Sequence, residues 1–169
     1  MHLKRAIKLV DTDLSRQIDF ENLDKYGPNF LAQFVGPSHR RVLEFEPYII
    51  KDPRAAFYYA RHSIMGRWPE AEPIIAKDPR AAFGYVKYIL KNRWSEAEPY
   101  IMEDPEYAYL YARDVIKGRW PEAEPHIMKD SYIAYCYAEE VIQDPWPEAE
   151  PYIKEDPFWW KHYKRKFLD

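Results

Sequence analysis

Hydrophobic and polar positions along the chain repeat with a period of 26 residues. The segments RWPEAEPIIAKDPRAAFGYV (67–86), RWSEAEPYIMEDPEYAYLYA (93–112) and RWPEAEPHIMKDSYIAYCYA (119–138) align position by position. The same period separates Trp68, Trp94, Trp120 and Trp146. A fixed period of this size is typical of stacked repeat proteins, because a single repeat cannot bury its own apolar face.

Each repeat predicts a short helix, a tight turn and a longer helix. Pro69 follows Trp68 and precedes Glu70, a pattern that suits the first turn of a helix, and Pro73 limits that helix to a short piece. The next signal is Asp–Pro, which predicts an N-cap and a first helical residue in 52–53, 78–79 and 104–105; the fourth repeat has Asp130 followed by Ser131. We expect the second helix to run for about 12 residues. Its expected C-terminal caps are Gly66, Asn92, Gly118 and Asp144.

The second helix has an apolar face. In the third repeat this face consists of Ala108, Tyr109, Tyr111, Ala112, Val115 and Ile116. Their spacing follows the helical period, and no run of alternating polarity indicates a strand. The sequence therefore predicts an all-α fold, a right-handed α-solenoid of short helical hairpins with degenerate N- and C-terminal capping units.

The repeat register also predicts the domain organisation. Residues 1–41 form an N-terminal helical cap, 42–145 form four complete repeats, and 146–169 form a partial fifth repeat with a C-terminal cap. We predict one continuous domain. Within the N-terminal cap we expect a capped helix from about Asp13 to Tyr26 and a short helix that ends at Gly36.

Composition and charge narrow the classes of function. The formal net charge is only -3 although 31% of the residues are charged, so we expect no overall attraction to nucleic acid or anionic membranes. The single cysteine, Cys136, excludes an intrachain disulfide and fits a reducing compartment. Lys8 and Asp11 interrupt the apolar run near the N-terminus, which does not fit a signal peptide or a membrane span. We predict a cytoplasmic protein.

The sequence has no enzyme motif. It contains no glycine-rich phosphate loop, no G-x-S-x-G and no H-E-x-x-H, and the five histidines have no metal-ligand spacing. Glutamate pairs such as Glu70 and Glu72 recur in each repeat, which favours a helix-start role over a single active site. We expect Arg67 and its equivalents Arg93 and Arg119 to pack on the adjacent tryptophan and to pair with a glutamate of the neighbouring repeat. The prediction is a non-enzyme without catalytic residues, metal or cofactor.

One face of the second helix varies between repeats and is expected to point away from the core. The candidate partner-binding residues on this face are Arg54, Tyr58, Arg61, Arg80, Lys87, Tyr88, Leu110 and Arg113. A variable face on a constant scaffold is how repeat proteins form extended binding surfaces. The alternative is a solvated face that is free to vary. If the short helices line the binding side instead, the candidates are Tyr48, Ile74, Tyr100, His126 and Tyr152.

The repeat unit RWPEAEPYI-x-KDP-x-x-AY-x-YA-x-x-VIKGR resembles a tandem repeat of uncharacterised proteins from bacteriophages and bacteria. The resemblance covers residues 42 to about 157, and Val42 departs from it because the other repeats have tryptophan there. It implies a helical repeat fold. It also implies an accessory protein, such as one that binds and inhibits a host defence protein, and it implies no catalytic residues.

Three functions are consistent with these observations. The first is a non-enzymatic protein-binding module that acts as an inhibitor or adaptor. The second is a nucleic-acid binder that uses the basic stripe of the second helices, with binding that weakens as salt is added. The third is a small-molecule or nucleotide sponge, which would be stabilised thermally by its ligand.

Overall fold

The computed structural model describes residues 18–19, 21–36 and 40–169. Over these residues the protein is helical and contains no strand, which confirms the predicted all-α class. After a 3-10 turn at Leu23–Lys25, the α-helices are α1 Pro28–Val35, α2 Glu46–Ile49, α3 Pro53–Tyr59, α4 Glu72–Ile75, α5 Pro79–Tyr85, α6 Glu98–Ile101, α7 Pro105–Tyr111, α8 Glu124–Ile127, α9 Ser131–Tyr137, α10 Glu150–Ile153 and α11 Pro157–Phe167. Four of them continue as π-helical segments: α3 as Ala60–Ile64, α5 as Val86–Leu90, α7 as Ala112–Ile116 and α9 as Ala138–Ile142.

The N-terminal segment is less helical than predicted. The expected helix from Asp13 to Tyr26 is wrong in its described part, where only the turn Leu23–Lys25 is helical; residues 13–17 and 20 lie outside the described residues. The Asp19 carboxylate accepts hydrogen bonds from the backbone N–H of Glu21 and from Lys25 Nζ, which favours a local turn over a helix. The second predicted helix is confirmed as α1, and Gly36 is its C-cap.

The short helices begin later than predicted. In the second repeat, residues 69–71 form a turn in which the Ala71 N–H bonds to the Trp68 carbonyl at 2.9 Å, and α4 starts at Glu72. Pro69 therefore lies in the turn. Pro73 lies in the first turn of α4, where its missing N–H removes no helical hydrogen bond.

The predicted N-caps of the long helices are confirmed. The Asp78 side chain accepts a hydrogen bond from the Ala81 N–H at 2.8 Å, and Pro79 is the first residue of α5. Four further aspartates cap long helices in the same way, Asp52, Asp104, Asp130 and Asp156. An aspartate at this position satisfies one of the unpaired N–H groups of the first turn.

The predicted C-caps are wrong by one residue. The left-handed residues are Met65, Lys91, Lys117 and Gln143, with φ between 57° and 60°, and no described glycine has a positive φ. The long helix widens before it ends: the N–H groups of Lys117 and Gly118 both bond to the Ala112 carbonyl, at 2.7 and 3.2 Å. In this wider π turn the chain reaches the left-handed region one residue before the glycine.

The core consists of the apolar faces of the helices. The face predicted for the third repeat is confirmed: Ala108, Tyr109, Tyr111 and Ala112 are buried, and Val115 and Ile116 are half-buried. The chain divides into two compact units, Met1–Leu90 and Lys91–Asp169. Within the first unit α3 packs between α1 and α5, and within the second unit α9 packs between α7 and α11.

Candidate functional site

A polar network joins the start of each repeat to its long helix. In the second repeat the Tyr85 hydroxyl accepts a hydrogen bond from the Trp68 backbone N–H at 2.7 Å and donates one to Glu72 Oε1 at 2.9 Å. Arg67 donates from Nε and Nη2 to the two oxygens of the Glu72 carboxylate, both at 2.9 Å. We call this arrangement the tyrosine network.

The tyrosine network recurs along the chain. Its members are Arg41, Val42, Glu46 and Tyr59; Arg93, Trp94, Glu98 and Tyr111; and Arg119, Trp120, Glu124 and Tyr137. In the fifth repeat Tyr163 accepts from the Trp146 N–H at 2.6 Å, and Lys154 contacts Glu150 at 3.1 Å. Since the network is repeated and its tyrosines are buried, we assign it a role in stabilising the fold.

The network contains one of the contacts predicted for the recurring arginines. The predicted pairing of arginine with a glutamate of the neighbouring repeat is confirmed, because Arg67 closes one repeat and Glu72 belongs to the next. The guanidinium groups that lie over rings in the described chain are at other positions, Arg61 over Tyr88 and Arg113 over Tyr109.

The glutamates and tyrosines of the network have shifted pKa values. The hydrogen bonds from Arg67 hold the pKa of Glu72 below its ordinary value, and Arg93 does the same to Glu98. Burial raises the pKa of Tyr85 to about 12. The role of the tyrosine was not predicted because its position was assigned to the apolar face. The signal was a tyrosine at this position of every repeat.

Two neighbouring long helices of the first unit form a basic surface. Residues 53–64 and 79–90 contain four lysines or arginines and no aspartate or glutamate. The four cations are exposed, and Tyr88 among them is 46% exposed. We call Arg54, Arg61, Arg80, Lys87 and Tyr88 the basic face.

The basic face is organised by close packing of α3 against α5. A Cβ atom at Gly84 would lie 2.7 Å from the Phe57 ring, so glycine permits this approach. The Phe57 and Tyr88 rings stack with centroids 6.5 Å apart, and the Arg61 guanidinium lies 3.7 Å from the Tyr88 ring centroid. At the start of these helices Arg54 Nε donates to Asp78 Oδ2 at 3.1 Å. The structure thus brings Arg54, Arg61 and Tyr88 into one packed surface.

The other predicted partner-binding residues lie elsewhere. Tyr58 is half-buried, with its ring against Gly36 and 4.4 Å from the His62 ring. In the second unit Leu110 is half-buried, and Arg113 bonds to Asp114, Tyr109 and Glu140.

The slot that Tyr58 and Leu110 share is occupied by Gly84 and Cys136 in the other repeats, and both of these are buried. The expectation that this slot points away from the core is therefore wrong for them, because the slot lies where neighbouring long helices approach each other. Burial also raises the pKa of the Cys136 thiol, which lowers its thiolate fraction and its reactivity.

Some of the variable positions make contacts within the protein. We count each long helix from the residue after its N-cap aspartate and include its π-helical segment. The ninth residue of one long helix then faces the tenth residue of the next. Arg61 lies over Tyr88, Arg113 bonds to Glu140 at 3.0 Å, and Glu139 pairs with Lys166 at 3.4 Å. The variation between repeats on this face is therefore partly a set of complementary pairs between neighbouring helices.

A groove of about 400 Å³ lies in the second unit. It is lined by Asp104, Pro105, Glu106, Asp130, Tyr132 and Ile133. No motif in the sequence pointed to it.

The alternative candidates on the short helices are less exposed than Tyr88 of the basic face. Tyr100 and Tyr152 are 37% and 38% exposed, and Tyr48, Ile74 and His126 are half-buried.

The described residues contain no cluster of three or more His, Cys, Asp or Glu side chains that could hold a metal ion. Among the helices of the same residues, none is both long and apolar enough to cross a membrane. Comparison with protein-family models, with curated proteins and with solved structures gives no significant match.

Proposed function

We propose that this chain is a non-enzymatic repeat protein that binds an acidic surface of a protein partner through the basic face. One observation carries the proposal: two packed long helices present four exposed cations and no carboxylate of their own. Arginine and tyrosine are enriched at the centres of protein interfaces, and Tyr88 is held in place by Arg61 and Phe57. A rigid ring beside fixed charges loses little conformational entropy on binding.

The proposal includes the finer architecture. Helix contacts between sequence neighbours and a tyrosine network in each repeat support a right-handed α-solenoid with capping units at both ends. The resemblance to repeats of bacteriophage proteins extends the proposal to a cytoplasmic inhibitor of a host defence protein.

The geometry favours an acidic protein over a nucleic acid. Arg61 already lies on the Tyr88 ring at 3.7 Å, so a stacking base would have to displace it. The groove of the second unit is lined by three carboxylates, which disfavours a nucleotide there as well.

The test is affinity capture from a bacterial lysate with three forms of the protein: the wild type, Arg80→Glu/Lys87→Glu on the basic face, and Lys51→Glu/Lys77→Glu as the control. Both pairs are exposed in the first unit and change the net charge equally, but the control pair lies at the ends of the short helices. We expect one discrete protein with the wild type and the control, and its loss with the basic-face variant. Circular dichroism checks that all three forms remain helical.

Two results would contradict the proposal. Equal capture by both double variants would place the binding surface elsewhere. Recovery of nucleic acid that nuclease removes, with affinity that falls steeply as salt is added, would favour a nucleic-acid binder.

A further inference from the structure

Large rings are exposed at one edge of the second unit. Tyr132 and Phe158 are 47% and 58% exposed, and Trp159 lies between them, 4.6 Å from the Tyr132 ring and 4.8 Å from the Phe158 ring. We call these three residues the aromatic edge. Contiguous exposed apolar surface of this kind marks interaction sites, since water solvates it poorly.

The aromatic edge is continuous with the groove, because Tyr132 belongs to both. Three carboxylates line the groove, those of Asp104, Glu106 and Asp130. One oxygen of Asp104 and one of Asp130 accept backbone N–H groups as helix N-caps. The second oxygen of each aspartate has no hydrogen bond or ion pair within the described chain, so the groove beside Tyr132 is acidic.

The first unit shows what such an aspartate binds when a cation is present. Arg54 occupies in α3 the position that Glu106 occupies in α7, and Asp78 relates to Arg54 as Asp130 relates to Glu106. Asp78 caps α5 with Oδ1 and accepts the Arg54 guanidinium with Oδ2 at 3.1 Å. In the second unit the arginine is replaced by Glu106, so Asp130 faces an acidic neighbour and the groove has no cation from this position.

We propose that the aromatic edge and the groove form a docking surface for a basic protein segment. An arginine of the segment enters the groove between Glu106 and Asp130, with its guanidinium against the Tyr132 ring, and an apolar neighbour packs on Phe158 and Trp159. Charge complementarity selects this occupant, and the ring adds a cation–π contact. This surface is separate from the basic face, so either proposal can fail without the other.

The test is a ¹⁵N NMR titration of the full chain with the peptide acetyl-Gly-Arg-Gly-Arg-Gly-Leu amide. We expect shifts at the backbone amides of Asp104, Glu106, residues 130–133 and residues 158–159, and an affinity that weakens as salt is added. Glu106→Arg supplies the pairing seen between Arg54 and Asp78, so it should fill the groove, weaken binding about tenfold and leave Tm unchanged or higher.

The control variant is Glu122→Arg, which makes the same charge change at an exposed site outside the groove. It should keep the wild-type affinity to within about twofold. Tyr132→Ala keeps every carboxylate and should weaken binding about threefold. A peptide with glutamine in place of both arginines should give no shifts.

Three results would overturn the proposal. The first is the absence of shifts at these amides in the wild type. The second is equal weakening by Glu106→Arg and Glu122→Arg, which would mean attraction to the net charge alone. The third is equal binding of the glutamine peptide, which would mean that the guanidinium makes no contribution.

Discussion

At the scale of single residues, one tyrosine hydroxyl in each complete repeat bonds to a backbone N–H and to a glutamate. In the third repeat the Tyr111 hydroxyl accepts from the Trp94 backbone N–H at 2.8 Å and donates to Glu98 at 3.0 Å. Tyr111 is fully buried, and its contact with the Trp94 N–H is buried while its contact with Glu98 is partly buried. A buried donor that loses its partner costs more than the bond itself contributes, so this hydroxyl should be sensitive to deletion.

Tyr111→Phe should therefore lower the free energy of unfolding by about 1–3 kcal/mol, as measured by urea denaturation. The matched control is Tyr100→Phe, since Tyr100 lies in the same repeat but is exposed, and it should change the stability by less than about 0.5 kcal/mol. Equal effects of the two substitutions would contradict the role of the tyrosine network.

The glutamates of the network make stability depend on pH. The pKa values of Glu72 and Glu98 are lowered in the folded protein by hydrogen bonds from Arg67 and Arg93, from an ordinary value of 4.5. A lowered folded pKa stabilises the fold fully above the ordinary value, and this stabilisation is lost as the pH falls through the folded value.

Glu72→Gln/Glu98→Gln should thus flatten the fall in Tm below a pH of about 4.5. The control is Glu70→Gln/Glu96→Gln, which changes the exposed first glutamates of the same repeats. This control should leave the fall in Tm at acidic pH as steep as in the wild type. If the fall in Tm at acidic pH is unchanged in Glu72→Gln/Glu98→Gln, the acid-sensitive groups lie elsewhere.

At the scale of helices, the left-handed residue that ends each of the four long helices with a π-helical segment is strained. Lys117 has φ 60°, a conformation that is unfavourable for residues with a Cβ atom. Gly118 does not have a positive φ, and a Cβ atom at this residue would contact nothing within 4 Å. Lys117→Gly should raise the free energy of unfolding by about 0.5–1 kcal/mol. Gly118→Ala should be neutral or stabilising; a loss of stability there would restore Gly118 as the C-cap.

Pairs between neighbouring long helices should couple their stability. Glu139 lies 3.4 Å from Lys166 across α9 and α11. Lys166→Glu should destabilise the protein, and Glu139→Lys in the same chain should restore it, with a coupling energy of about 0.5 kcal/mol in a double-mutant cycle. The control cycle uses Lys161, an exposed lysine of the same helix, and should show no coupling with Glu139.

The helices show which features sequence reasoning could find. Asp78–Pro79 is a local signal, because cap and first turn are neighbours in sequence, and the N-cap was predicted correctly. The start of α4 was misplaced because Pro69 suits a turn as well as a helix. Phe57 against Gly84 and Glu139 with Lys166 depend on which helices are neighbours in space, and no local pattern contains that information.

At the scale of the whole molecule, helix contacts inside each compact unit join elements that are close in sequence. Stability in such proteins is a sum of local terms, so unfolding does not have to be all-or-none. We expect the calorimetric enthalpy of thermal unfolding to exceed the van't Hoff enthalpy. Equal values would mean that the chain unfolds as one cooperative block.

Charge is also distributed unevenly. Residues 1–90 contain 14 lysines and arginines against 11 aspartates and glutamates, whereas residues 91–169 contain 11 against 17. The net charge of -3 therefore hides a basic first half and an acidic second half. The two proposed surfaces follow this division, with the basic face in the first unit and the acidic groove in the second.

Every member of a tyrosine network, from Arg67 to Tyr85, lies within a stretch shorter than the 26-residue period. An in-frame duplication of one period in the gene would copy all the groups that one tyrosine network needs, and an in-frame deletion of one period would remove them together. Recombination between copies could thus change the number of repeats without leaving an arginine, glutamate or tyrosine stranded. Selection could then adjust the reach of the protein by copy number, separately from the point substitutions that tune its surface.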